Sequence, residues 1–186
     1  MHDFAESLAS SHAASDLPIW EEIYRSSFPG FVAMVDHRED GEHQRAGIDR
    51  SVILANSKQI LVDEKVRGRN KITGKVYEDI ALEYLSNEGR GVPGWVCKPL
   101  RADYIAYAIA PLGRCYLLPV MQLQLAWSRS GDLWRQQYRS VRAQNNGYVT
   151  VSVGVPVGVV FAEVGRALRV RFKPTEYASA ATKWTA

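Results

Sequence analysis

Gly47-Ile48-Asp49-Arg50-Ser51-Val52-Ile53-Leu54-Ala55, a polar turn at Asn56-Ser57-Lys58, and Gln59-Ile60-Leu61-Val62-Asp63-Glu64-Lys65-Val66-Arg67 form the stretch on which the fold turns. Two β-rich runs of about nine residues separated by a short polar turn predict a β-hairpin. Both runs carry charge inside apolar sequence: Asp49 after Gly47-Ile48, and Asp63-Glu64-Lys65 after Ile60-Leu61-Val62. Because strand side chains alternate, Asp63 and Lys65 share one face and Glu64 takes the other. The turn decides whether Asp49 joins them. A two-residue loop, Asn56-Ser57, sets Asp49 opposite Glu64, and a three-residue loop, Asn56-Ser57-Lys58, sets it opposite Lys65. In the second register Asp49, Asp63 and Lys65 share a face, where two carboxylates can hold a hard divalent cation beside an ammonium. Such a cation lowers the pKa of a bound water and stabilises charge on a phosphate, while the lysine orients or activates the nucleophile. That is the equipment of phosphodiester hydrolysis.

Gln44-Arg45-Ala46-Gly47-Ile48-Asp49, the hairpin, and Asp63-Glu64-Lys65 together resemble the PD-(D/E)XK nuclease superfamily, whose signature is an aspartate on one strand and an acidic-x-Lys triplet on the next. The resemblance assigns Asp49 to the first aspartate, Asp63 to the acidic residue of the triplet and Lys65 to its lysine. It implies an α/β, restriction-endonuclease-like fold, a mixed β-sheet with a central β-hairpin flanked by helices. It also implies Mg²⁺ (or Mn²⁺) held by Asp49 and Asp63, and cleavage of DNA or RNA as endonuclease or exonuclease. Members often recruit a carboxylate from a preceding helix, the place of Glu21, and a nearby glutamine, the place of Gln44. The resemblance spans about residues 18–145, with the specific motif confined to 44–67. Ile48 stands where the family's proline would be. The helical Gln-xxx-Tyr motif of one branch is not evident, since Gln144 and Tyr148 straddle an Asn-Asn-Gly turn.

Outward from the hairpin, residues 1–16 read as a loose N-terminal arm, 17–173 as a single domain and 174–186 as a tail. Pro18 with Trp20, Ile23, Tyr24, Ser27 and Phe28 at helical spacing predicts a helix ending before Pro29-Gly30. Glu21 flanks its apolar face, and it also stands four residues before Arg25, with which it can form a solvated pair. Asp36 to Gln44 reads as a charged loop. Its His37 and His43 could bind metal, but nothing in the sequence fixes the two rings on one face, so a solvated loop is the expectation.

After the hairpin comes a basic, Gly-bracketed loop (Arg67, Arg69, Lys71, Lys75). Val76 to Leu85 fits helix or strand and is read as a strand. Glu83 there could support the metal or hydrogen-bond Lys65, or stand exposed on an edge. Arg67, one alternation beyond Lys65, and Arg69 could touch phosphate or lie in solvent. Strands are expected at Ala102 to Ala110, Arg114 to Leu118 and Tyr148 to Val155, and helices at Val120 to Trp127, Leu133 to Gln144 and Val157 to Arg166. In the second of these helices Arg135, Arg139 and Arg142 recur opposite Trp134, Tyr138 and Val141. One face would pack and the other would grip nucleic acid. Tyr104, Tyr107 and Trp95 read as core or turn anchors rather than base-stacking platforms.

The 186 residues, 46% hydrophobic and 23% charged, suffice for one domain with a sizeable core and exclude disorder. Two cysteines, Cys97 and Cys115, exclude a disulfide framework and read as buried small hydrophobes in a reducing cytoplasm. No secretory or membrane segment is expected, so the reading is a soluble cytoplasmic protein without a membrane partner. Residues 1–89 carry 10 Lys+Arg against 16 Asp+Glu, a net −6, and residues 90–186 carry 13 against 4, a net +9. An acidic half and a basic half suit a protein that holds a cation on one surface and a polyanion on another. DNA is preferred over RNA because no aromatic RNA-binding motif is visible, and a homodimer is possible. The rival from another class is a non-catalytic nucleic-acid-binding or assembly protein on the same fold. A small-molecule enzyme lacks support, with no phosphate-binding Gly loop, nucleophile elbow or HExxH.

Overall fold

Ile19, Trp20, Ile23 and Tyr24 recur at helical spacing and form the buried side of α1 (Ile19–Ser27). The helix ends where Phe28 turns extended, ahead of Pro29-Gly30. In this computed structural model, which describes residues 17–37, 39–70, 73–165 and 168–175, there follow β1 (Phe31–Asp36), α2 (Gly41–Arg45), β2 (Arg50–Leu54), β3 (Gln59–Arg67) and β4 (Asp79–Asn87). Then come β5 (Val92–Pro93), β6 (Tyr104–Ile109), β7 (Arg114–Pro119), α3 (Val120–Gln137), β8 (Ser140–Gln144), β9 (Val149–Pro156), α4 (Val157–Val164) and β10 (Leu168–Arg171). The arm read over residues 1–16, Lys71, and the tail beyond residue 175 lie outside the described residues. The last described residue, Thr175, donates its N–H to the Ala110 carbonyl (3.1 Å).

The strands form two sheets. The larger has six strands in the order β1-β2-β3-β6-β7-β10 and is mixed, with β3 and β6 its parallel pair (Val62↔Tyr104 through Arg67↔Ile109). The smaller is antiparallel, in the order β5-β4-β9-β8. Alternation gives the larger sheet two apolar faces. Val52, Val62, Ala106, Ala108 and Leu117 pack under Trp20, Ile23, Tyr24 and Phe28 of the α1 segment. Ile105, Tyr107, Ile109, Tyr116 and Leu118 pack on the other face against Ile80, Leu82, Val153 and Val155 of the smaller sheet, with α3 and α4 closing the cluster.

The chain is therefore mixed α/β with a β-hairpin inside a mixed sheet, and one face of that sheet is covered by a second sheet as well as by helices. The stretch that fitted helix or strand is β4. The helix expected over Leu133 to Gln144 does not exist as one element. α3 runs unbroken from Val120 to Gln137, and Ser140 to Gln144 is a strand paired with β9 (Ser140↔Val153, Gln144↔Val149). Val141 is buried between exposed Ser140 and Arg142, a period of two, and the Asn145-Asn146-Gly147 turn, with Gly147 at φ +81°, folds β8 onto β9. Part of the segment expected to be a charged loop also takes regular form. Asp36 ends β1, and Asp40 caps α2 by accepting the Glu42 N–H (2.9 Å) and the His43 N–H (3.3 Å). No helix among the described residues is long and apolar enough to cross a membrane.

Candidate active site

The hairpin turns one residue earlier than either register read from the sequence. The Leu54 N–H donates to the Lys58 carbonyl (2.9 Å), enclosing Ala55-Asn56-Ser57, and Ser57 takes φ +62°. The ladder then sets Arg50 opposite Val62. Asp49 lies just ahead of β2, and its own N–H also donates to the Val62 carbonyl (2.9 Å), so two residues of one strand address a single residue of the other. This bulge-like step re-aims Asp49. Its carboxylate accepts the Glu64 N–H (2.7 Å), which sets it over the β3 backbone beside Asp63. Gly47, two residues before, takes φ +70° and packs against Leu100, where a Cβ would meet Leu100 Cδ2 at 2.5 Å.

Asp63 and Lys65 point toward the smaller sheet, and Lys65 Nζ donates to Asp63 Oδ1 in a direct ion pair. Burial and the adjacent Asp49 push the Asp63 carboxyl up to about 7 against the pull of Lys65. Burial alone would lower the Lys65 pKa, but Asp63, Asp49 and Glu83 together outweigh it and raise the ammonium above its ordinary value. Glu83 arrives from β4. Burial raises its carboxyl, opposed by Lys65, Lys98 and the Trp95 N–H. Gly94 packs so closely on this strand that a Cβ would fall on the Glu83 carbonyl. Thus the bulge leading into β2, together with β3 and β4, brings Asp49, Asp63, Lys65 and Glu83 into one electrostatic cluster.

Glu64 takes the opposite face. Its Oε1 accepts from Tyr24 Oη (2.7 Å) and Arg50 Nε (2.7 Å), and Arg50 reaches on to Asp36 (3.5 Å). Burial pushes its carboxyl up to about 8, with Arg50 and Tyr24 opposing. This group locks the hairpin to α1 directly behind the Asp63 cluster.

The structure does not gather the other expected residues there. Glu21 belongs to the α1 layer, on the Glu64 side of the sheet, and pairs with Arg25 (2.6 Å) with both side chains more than half exposed. It stands on the exposed side of α1, and α1 covers the face of the sheet opposite Asp63 and Lys65. Gln44 lies exposed on α2, its carbonyl accepting the Gly47 N–H (3.0 Å). Arg67 is drawn inward, paired with Asp79 (2.7 Å) and donating to Tyr107 Oη (3.4 Å), so it ties β3 to β4. Arg69 is exposed. Arg135 pairs with Asp132 and lies over the Tyr84 ring, Arg139 sits in the link after α3, and Arg142 is on β8 paired with Glu88. They form no common helical face. Cys115 is buried as expected, whereas Cys97 is exposed.

Sequence reasoning missed Lys98 and Arg101, in the segment between β5 and β6. That segment spans the cluster. The Val96 N–H donates to the Glu83 carbonyl (3.2 Å), Lys98 acts on the Glu83 carboxyl, Leu100 covers Gly47, and the Arg101 N–H donates to the Ala46 carbonyl (3.0 Å). The signal available was two bases, Lys98 and Arg101, in a Gly/Pro-bounded linker. Comparison of the chain with protein-family models, with curated proteins and with solved structures gave no match.

The donor set suits a hard divalent cation. Two oxygen-donor carboxylates stand side by side, and their mutual repulsion under burial is what a cation relieves. Mg²⁺ typically takes one or two carboxylates and completes its shell with water and phosphate.

Proposed function

We propose that this protein is a Mg²⁺- or Mn²⁺-dependent nuclease, acting by preference on DNA, of the PD-(D/E)XK type that its motif resembles. The observation that carries the reading is the convergence of Asp49, just ahead of β2, with Asp63 and Lys65 of β3 and Glu83 of β4. Asp49 and Asp63 would hold the cation. When bound, it supplies neutralising charge at the scissile phosphate and a more acidic water. Lys65, its pKa raised, stays protonated at neutral pH, so it acts as a donor rather than as a base. With one N–H on Asp63 and a second directed at the Glu64 carbonyl (3.5 Å), the ammonium has a third N–H to orient an attacking water or a phosphate oxygen. Glu83 adds a second anionic partner that keeps the ammonium charged and in place. Lys98 and Arg101, in the segment that borders the cluster, take the phosphate-gripping role that the arginines of the expected helix would have had.

The test is incubation of supercoiled, linear, single-stranded and branched DNA with Mg²⁺, Mn²⁺ or EDTA, comparing wild type with Asp63→Ala and Lys65→Ala. Metal-dependent cutting that falls by about a hundredfold or more in both variants is the expected result. Absence of cutting on every substrate, with DNA binding unchanged in the variants, would replace the nuclease with a non-catalytic binding protein.

A further inference from the structure

His37 and His43 stack with ring centroids 4.0 Å apart and planes within 5° of parallel. The sequence offered nothing to fix them, and the fold supplies it. His37 immediately follows β1, its N–H donating to the Asp49 carbonyl (2.9 Å) and its Nε2 bonded to Oγ of fully buried Ser51 (2.7 Å). His43 is carried by α2, and its Nδ1 meets Asp40 Oδ2 (2.7 Å). The Asp40 N–H in turn donates to the His37 carbonyl (2.9 Å), which closes the segment on itself.

The geometry points to a second metal site, in which His37, Asp40 and His43 bind one borderline transition ion of the Zn²⁺ class. Each residue offers one ligand atom, and those atoms all lie within 4.8 Å of one another. Ligands on a tetrahedral ion at about 2.0–2.1 Å stand roughly 3.3–3.4 Å apart, so binding contracts the cluster and turns the rings out of their stack. The movement falls on accessible side chains, those of His43 and Asp40 being 35% and 46% exposed. Imidazole nitrogen with one carboxylate selects Zn²⁺, Co²⁺, Ni²⁺ or Cu²⁺ over Mg²⁺, which demands oxygen. Three protein ligands leave at least one position open. The buried Ser51 hydroxyl anchors the outer side of His37, as supporting groups do in metal sites. The site stands whether or not the Asp63 cluster cuts DNA.

The experiment is calorimetric titration of the full chain with Zn²⁺ alone. His2 and His12 are replaced by Ala throughout, leaving His37 and His43 as the only imidazoles. One histidine-dependent equivalent should bind and persist in Asp63→Ala, which removes only an ion held by the Asp49–Asp63 cluster, and it should weaken by about tenfold or more in His37→Ala and in His43→Ala. Equal binding in the histidine variants, loss in Asp63→Ala, or no binding at all would overturn the assignment. A readout that needs no histidine variant is Co²⁺ added to the same protein. Both imidazole NMR signals should shift or broaden strongly with one equivalent, and unperturbed signals would refute the site.

Discussion

Replacing Asp63 with Asn should stabilise the metal-free protein at alkaline pH, against the usual effect of disturbing a buried ion pair. In the folded chain the Asp63 carboxyl titrates at about 7, whereas its ordinary value is 3.8. Between those values the folded state holds a proton that the unfolded state has released, so stability falls as pH rises from about 4 to 7. The gap of about 3 pH units corresponds to about 4 kcal/mol, fully expressed above pH 7 and absent below pH 4. It is an upper bound for Asp63→Asn, because the substitution also takes the partner from Lys65. Urea unfolding of wild type and Asp63→Asn in EDTA, from pH 5 to 8.5, measures the difference directly. Glu64 and Glu83 are raised as well and tilt both proteins alike. The comparison therefore isolates the Asp63–Lys65 pair, and the variant's advantage should grow with pH. Mg²⁺ at a hundred times its Kd should then return about 2.7 kcal/mol to wild type and nothing to the variant. A variant less stable than wild type at every pH would show that the Lys65 contact outweighs the burial and repulsion argued here.

Tyr24→Phe removes one of the two hydrogen bonds to buried Glu64 Oε1 and should cost about 1–3 kcal/mol by the same unfolding assay, and a loss within experimental error would deny that clamp its role. Lys98→Ala with Arg101→Ala should weaken binding of duplex DNA and flatten the dependence of log K on log salt by about 2. Arg135→Ala with Arg142→Ala should do so far less, and a reversed order would return the grip to α3 and β8.

Asp63 and Lys65 were legible because a period of two needs only the strand to be right. The place of Asp49 was not, since it hangs on which residue of the turn takes a left-handed conformation. Ser57 does so here, in a role more often given to Gly or Asn. Glu83 was visible as a candidate acid, but its approach to Lys65 follows from a second sheet folding over the first, which no local pattern encodes. Arg135, Arg139 and Arg142 mislead for a definite reason: their spacing satisfies a helix while Ser140 to Gln144 also satisfies a strand, and pairing with β9 decides it. His37 and His43 are held by Ser51 and Asp40, and the Ser51 contact spans 14 residues of sequence, a long-range partner invisible to a local reading.

The parallel pairing of β3 with β6 sets an order of assembly. β1, β2 and β3 are consecutive antiparallel neighbours, closed by short-range contacts that form at small entropic cost. The second edge of β3 must wait for a strand about forty residues further along, and β4 with Glu83 lies within that wait. Asp49, Asp63 and Lys65 are thus expected to meet early on the folding pathway and Glu83 late. A nascent or partly unfolded chain would gather the two acids and the lysine before the ammonium's last counter-charge arrives.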